Sequence, residues 1–176
     1  MIEILGKEGS GKTTLSNELE RRYGYKRIIT YTTRPKKNDE MQEVDYRFID
    51  KKTFFMLKHK GFFGETSEYN GWYYGSAKED YKKNTVLIVT PNGSRQIDKA
   101  VNMGNIKKVY LDVPDKILFS RLLNRNDMSI EEAYKKYLYD KGMYAGIEDE
   151  VDMCMHNDNE MDFERNIKMI KILEEN

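Results

Sequence analysis

Eight residues near the start of the chain, Gly6-Lys7-Glu8-Gly9-Ser10-Gly11-Lys12-Thr13, match G-x-x-x-x-G-K-[ST] at every fixed position. The pattern has meaning only between a strand and a helix, and both are predicted here. Residues 2–5 form a short apolar run, and Leu15, Leu19 and Tyr23 recur afterwards at helical spacing. In that setting the glycines let the backbone curl so that the N–H groups from about Glu8 to Thr13 point inward. The N-terminus of the following helix adds its partial positive charge. Such a cradle suits a polyphosphate, with Lys12 reaching the β- and γ-phosphates and Thr13 offering its hydroxyl to Mg²⁺. The loop therefore predicts a nucleoside-triphosphate site built from Gly6, Glu8, Gly9, Ser10, Gly11, Lys12, Thr13 and Thr14. It leaves open what receives the phosphate.

The remaining 163 residues after Thr13 must supply a sheet for the loop to stand on. Residues 85–90, Thr-Val-Leu-Ile-Val-Thr, form a near-continuous apolar run, as expected for a parallel strand covered on both faces and ended by Pro91-Asn92-Gly93. Residues 108–113 repeat the idea, and residues 151–156 give a late strand. Helices are predicted over residues 94–103, 115–124, 129–142 and 160–174. The alternation argues for an α/β, three-layer P-loop fold with a parallel sheet. The middle third differs. A β-rich run at 27–33, an exposed polar stretch at 36–43, and aromatic strand candidates at 46–49, 62–66 and 72–74 flank a helix at 51–59, which together read as a small β-rich lobe.

Composition narrows the partners. Lys plus Arg (30) equals Asp plus Glu (30), so no global basic field exists to hold nucleic acid, and an anion site must be built locally. A single cysteine, Cys154, excludes an intramolecular disulfide and fits a reducing compartment. With short apolar runs and an N-terminus leading straight into the glycine loop, the chain reads as cytoplasmic, without membrane partners, as a monomer or homodimer.

The run Thr32-Thr33-Arg34-Pro35-Lys36-Lys37, then Asp45-Tyr46-Arg47-Phe48-Ile49, Gly61-Phe62-Phe63-Gly64-Glu65 and Tyr73-Tyr74-Gly75-Ser76, resembles the guanylate kinase family. With the phosphate loop and Arg121-Leu122-Leu123-Asn124-Arg125, the likeness spans nearly the whole chain. The resemblance implies phosphate transfer from ATP to GMP or dGMP. It also implies a core of residues 1–33, 84–120 and 146–176, an acceptor lobe of 34–83 and a lid of 121–145. On that likeness Arg34, Lys37, Tyr46 and Tyr74 grip the acceptor phosphate, and Glu65 and Ser76 read the base, with Thr30, Gly75 and Thr90 beside them. Asn157 falls at a family position near the adenine. The chemistry agrees, because guanine presents two donors, its N1–H and exocyclic amine, that one carboxylate can accept together.

Two departures stand out. Lys37 occupies a position where the family carries arginine, replacing a bidentate fork by a point charge. Residues 86–90 read Val-Leu-Ile-Val-Thr, where the family places aspartates that contact the nucleotide and help organise the metal.

Arg121 and Arg125 lie four apart and so share a helix face, while Lys136 aligns with a lid arginine of the family. With Lys12 they are the candidates for neutralising the phosphoryl group in flight. An acceptor phosphate is largely ionised near neutral pH, so the chemistry needs no strong general base, and His59 and His156 read as structural or surface residues. Two alternatives stay open: a monophosphate kinase of the same fold with different or broader base choice, and a guanylate-kinase-like binding module without catalysis.

Overall fold

A computed structural model describes residues 1–38, 40–101, 104, 106–124 and 129–175. The first half contains β1 (Ile2–Gly6), α1 (Lys12–Tyr23), β2 (Lys26–Arg27), β3 (Tyr31–Thr32), β4 (Arg47–Phe48), α2 (Lys51–His59), β5 (Phe63–Tyr69) and β6 (Trp72–Ala77). Then follow β7 (Thr85–Ile88), α3 (Pro91–Ala100), β8 (Lys107–Asp112), α4 (Asp115–Leu123), α5 (Ile130–Met143), β9 (Met153–His156) and α6 (Glu160–Glu175).

Five strands form a sheet in the order β2-β7-β1-β8-β9, and every pair in it is parallel. β1 sits at its centre, buried along its length. The two-residue period of a strand divides its side chains between two cores. Ile2 and Ile4 pack with Leu15 and Leu19 of α1 and with Ile167 and Ile170 of α6, while Leu5 faces Ile97 of α3 and Tyr144 beyond α5. Helices thus cover both faces, the three-layer α/β architecture predicted from the sequence.

The second sheet runs β4-β3-β6-β5, mixed in direction. The 27–33 run is divided between the two sheets: Lys26–Arg27 pairs with β7, and Tyr31–Thr32 pairs with β4 and β6. α2 begins at Asp50, whose carboxylate accepts the Thr53 N–H at 2.9 Å, and buries Phe54 against Phe63 with ring centroids 4.7 Å apart. Gln96 of α3 ties this sheet to the core. Its side-chain amide accepts from the Thr66 N–H and donates to the Thr66 carbonyl, both at 3.0 Å, mimicking a strand on the free edge of β5.

α3 starts three residues before its predicted position. Thr90 Oγ1 accepts the Gly93 N–H at 3.2 Å and caps the helix, and Pro91, lacking an N–H, suits the first turn. α5 opens with a capping box in which Ser129 Oγ accepts the Glu132 N–H at 3.2 Å and Glu132 Oε2 accepts the Ser129 N–H at 2.7 Å.

One core residue is out of character. Glu3 of β1 is fully buried, and its Oε2 accepts the Ser94 hydroxyl at 2.5 Å, while burial raises its pKa to about 7 despite that hydrogen bond. A carboxyl with a folded-state pKa above its unfolded value contributes stability below about pH 4.5 that is lost as pH rises through 7. The shift corresponds to about 3 kcal/mol. Chemical denaturation between pH 4.5 and 8 should therefore show a wild-type loss of stability that Glu3→Gln cuts by about half, the buried Glu65 carboxyl, also raised to about 7, supplying the remainder. Parallel pH profiles for the two proteins would show that Glu3 is not the buried acid described.

Candidate active site

β1 carries the chain to Gly6, a turn follows in which the Ser10 N–H donates to the Lys7 carbonyl at 3.1 Å, and α1 is entered through Gly11 at φ 96°. That left-handed conformation strains any L side chain. A Cβ at Gly11 would also lie 2.6 Å from Asn157 Nδ2. Asn157 is buried just beyond β9 and donates from Nδ2 to the Ser10 carbonyl at 2.7 Å. This residue, singled out for adenine contact, therefore also braces the loop. Lys12 lies along the loop, its Nζ donating to the carbonyls of Gly6 and Lys7 at 2.6 and 2.9 Å. Thr13 and Thr14 are exposed in the first turn of α1.

Two carboxylates fasten α5 to the loop, and the sequence reading picked out neither. Asp140 is buried, and its Oδ2 accepts the Glu8 N–H at 2.7 Å, occupying a loop amide with an anion of the chain's own. Asp115, at the start of α4, accepts from Lys7 Nζ at 3.1 Å, the Tyr137 hydroxyl at 2.6 Å and Lys141 Nζ at 3.3 Å. The Tyr137 hydrogen bond, followed by the Lys7 contact, holds the Asp115 carboxyl at about 2. These partners are far apart in sequence and no spacing marks them.

Of the lid cations, Arg121 donates to the Gly9 carbonyl at 3.2 Å and to the carbonyls of Asn157 and Asp158 at 3.0 and 3.1 Å, crossing from the loop to the end of the sheet. Lys136 Nζ lies 3.5 Å from Glu8 Oε2 and 3.6 Å from Asp140 Oδ1. Burial pulls its pKa down, but Asp140 and Glu8 outweigh burial and leave it raised, so the ammonium stays charged. Arg125 lies outside the described residues.

Across the cleft, the Arg34 guanidinium grips Glu40 in a fork at 2.5 and 3.0 Å and lies over the Tyr46 and Phe48 rings, 5.3 and 5.8 Å from their centroids. Tyr46 packs edge-on to Tyr74 at 6.1 Å, which gathers Arg34, Tyr46 and Tyr74 in one place. Burial raises the Tyr46 hydroxyl and keeps it a donor. Lys37 is exposed on the loop, where its backbone N–H donates to Glu40 Oε2 at 2.8 Å. Thr30 serves through its carbonyl, which accepts the Arg47 N–H at 2.9 Å. Glu40, unnoticed in the sequence, orders this corner by taking both Arg34 and the Lys37 amide.

Glu65 and Ser76 stand directly opposite on β5 and β6, so their side chains share a face. An irregularity in β5 between Phe63 and Glu65 re-aims the strand there. Ser76 donates to Glu65 Oε1 at 2.9 Å and touches the Tyr81 hydroxyl at 2.7 Å. Glu65 is only 7% exposed, and burial raises its pKa to about 7, partly offset by Ser76. Gly75 is the ladder partner of Thr66 beside this pair. Ile88 and Thr90 follow at the end of β7 with no carboxylate, and the Thr90 oxygen is the cap of α3.

A cleft of about 750 Å³ runs from the loop to Tyr46, lined by Gly9, Lys12 and Thr13 of the loop, Arg121 of α4, Tyr46 just before β4 and Phe163 of α6; Arg34, Tyr74, Glu65 and Ser76 are not among its lining residues. Phe163 and the nearby Asn159 were missed in the sequence, where residues 160–174 read only as a helix. Among the described residues no three His, Cys, Asp or Glu side chains form a metal cage. The exposed Thr13 hydroxyl suits Mg²⁺, which keeps its waters and relies on phosphate oxygens for its other ligands. Among the described residues no helix is long and apolar enough to cross a membrane.

A glycine loop between a central parallel strand and a helix, facing a cationic and aromatic lobe across one cleft, defines a P-loop nucleotide-binding protein. The family model for guanylate kinase matches residues 1–175. The guanylate kinase of Legionella pneumophila (strain Lens) is 31% identical over 173 residues, covering 92% of this chain and 78% of that protein. That of Oleidesulfovibrio alaskensis is 33% identical over 111 residues, 59% of this chain, a stretch spanning about half (54%) of that relative's length. The crystal structure of guanylate kinase from Anaplasma phagocytophilum superposes with a TM-score of 0.68 at 22% identity, covering 98% of this chain and 84% of that one, and so bears on the fold. The chain belongs to the guanylate kinase family.

Gly11→Ala tests the loop geometry. Strain at positive φ and the collision with Asn157 should lower the melting temperature by several degrees, with a cost of about 1–3 kcal/mol, and abolish ATP binding in a calorimeter. An alanine protein that melts and binds ATP like the wild type would contradict the cradle.

Proposed function

We propose that the chain transfers the γ-phosphate of ATP to GMP or dGMP, giving ADP and the corresponding diphosphate. The observation that carries this reading is the single cleft with the phosphate loop on one wall and Tyr46 of the acceptor corner on the other. Residues 34–83 serve as the acceptor lobe and 121–145 as the lid, although Tyr31–Thr32 already pairs in the lobe's sheet. Gly6 and the amides of Gly9, Gly11, Lys12 and Thr13 hold the triphosphate, the Glu8 and Ser10 amides being taken by Asp140 and the Lys7 carbonyl; Thr14 and Asn157 flank it, and Phe163 offers an apolar face to the adenine. Thr13 would hold Mg²⁺, which when bound neutralises charge on the phosphate oxygens. The compartment of action is the cytoplasm.

Arg34, Tyr46 and Tyr74, with Lys37 at the rim, bind the acceptor phosphate. Glu65, positioned by Ser76, accepts the two guanine donors, with Thr30, Gly75 and Thr90 lining the base. Lys12, Arg121, Arg125 and Lys136 spread the charge of the migrating phosphoryl group. Catalysis is then positioning plus charge neutralisation, with closure excluding water. Broader base choice is the second reading. It is favoured by the end of β7, where Ile88 and Thr90 bring no carboxylate and the Thr90 oxygen caps α3.

Incubation with Mg-ATP and a panel of monophosphates, following ADP release, should give turnover with GMP and dGMP well above that with AMP, CMP or UMP. Lys12→Ala should lower turnover by about 10²-fold or more in a folded protein. Equal rates across the panel would select broader specificity, and no turnover with any acceptor would leave a binding module. Glu65 gives a second check. Guanosine binding should tighten about tenfold between pH 6 and 8 as the carboxyl ionises through about 7, and Glu65→Gln should flatten that profile. A pH-independent wild-type affinity would remove Glu65 from base reading.

A further inference from the structure

Lys136 is the one lid cation among the described residues that meets three separate parts of the chain. Its Nζ lies near Glu8 of the phosphate loop and near Asp140 one turn along its own helix, at 3.5 and 3.6 Å. It also lies over two rings, 4.4 Å from the centroid of Tyr69 and 5.5 Å from that of Tyr139. Tyr69 belongs to neither the loop nor the lid. It ends β5, opposite Trp72, where the chain reverses through Asn70 (φ 51°) and Gly71 (φ 76°). Consecutive positive φ values define the type I′ turn that fixes hairpin register, and so the turn sets where the Tyr69 ring stands. The hairpin is part of the acceptor lobe's sheet, and its tip reaches across to the lid helix, bringing Tyr69 within 6.5 Å of Tyr139.

Asp140 completes the arrangement. One oxygen holds the Glu8 N–H at 2.7 Å and the other faces Lys136, so one buried carboxylate relates the lysine to the phosphate loop. Resting on the reading of Lys136 as a transfer cation, we propose that Tyr69 and Asp140 are positioning residues for Lys136, and that Tyr69 makes transfer depend on a seated acceptor lobe. The electronegative ring face and the carboxylate restrain an ammonium that would otherwise sweep a wide volume on a flexible stem. When the lobe swings away, the ring leaves and the lysine loses its place. When the acceptor seats the lobe, the ring returns and the cation is set beside the loop that holds the γ-phosphate.

The experiment combines kinetics with a spectroscopic readout. Tyr69→Phe, which keeps the ring, should stay within about twofold of wild-type kcat, whereas Tyr69→Leu should lose about five- to tenfold in kcat with both KM values nearly unchanged. Asp140→Asn, which keeps an acceptor for the Glu8 amide, should lower kcat by a similar factor without lowering the melting temperature. In a Lys136→Ala background Tyr69→Leu should cost nothing further, because its effect passes through the lysine. Independent losses that multiply, or a Tyr69→Leu loss confined to the acceptor KM, would overturn the proposal. A Lys136→Ala protein with full turnover would instead remove the reading of Lys136 beneath it. Reductive ¹³C-methylation followed by NMR checks the geometry without catalysis: the Lys136 methyl resonance should be displaced upfield by the rings, stay so in Tyr69→Phe and return in Tyr69→Leu. An undisplaced wild-type resonance would overturn the proposal whatever the enzyme phosphorylates.

Discussion

The structure is organised around a run of backbone N–H groups that no helix or strand can satisfy. Between Gly6 and Lys12 the chain must turn from strand to helix, and the first amides of α1 have no intrahelical partner. Left to water they would make an ordinary helix start. Held in a fixed curl by Gly11, by the Asn157 side chain on the Ser10 carbonyl, and by Lys12 on the carbonyls of Gly6 and Lys7, they become an anion site. Asp140 already places a carboxylate on the Glu8 amide, so the attraction of the loop for negative oxygen is visible within the chain itself.

The surrounding elements follow from keeping that curl in place. β1 runs through the middle of the parallel sheet, where it is clamped on both sides by β7 and β8 and covered by helices on both faces. Charges are then distributed by distance from the loop. Arg121 closes the loop against the end of the sheet, and Asp115 and Asp140 fasten the second half of α5 to it. That half of the helix is therefore tied to the core. The second sheet joins the core through Gln96 of α3, whose side-chain amide pairs with the Thr66 backbone on the edge of β5.

Much of this was legible in the sequence because local patterns carried it. The phosphate loop, the apolar run of β7, α2 and the period of α1 each announce themselves within a dozen residues, and the helix at Lys51–His59 falls at its predicted bounds. The failures are equally local in origin. Pro91 does end the apolar run as read, but it is also the first residue of α3, placed three residues late because the cap that starts the helix is the Thr90 hydroxyl and its effect depends on the following geometry. Residues 27–33 read as one strand, yet they serve two sheets, since strand propensity says nothing about which neighbour supplies the hydrogen bonds.

The sequence by itself determined the α/β layering and the glycine turn between β1 and α1, because both rest on short-range spacing, and its resemblance to guanylate kinases grouped Arg34, Tyr46, Glu65 and Ser76 as an expected acceptor set. Tertiary structure alone decided which groups those residues meet. Asp140 on the Glu8 amide, Glu40 in the fork of Arg34, Tyr69 beneath Lys136 and Phe163 in the cleft all depend on elements brought together across the fold. The raised carboxyls of Glu3 and Glu65 belong to the same class, since burial, which no sequence window records, is what sets their charge.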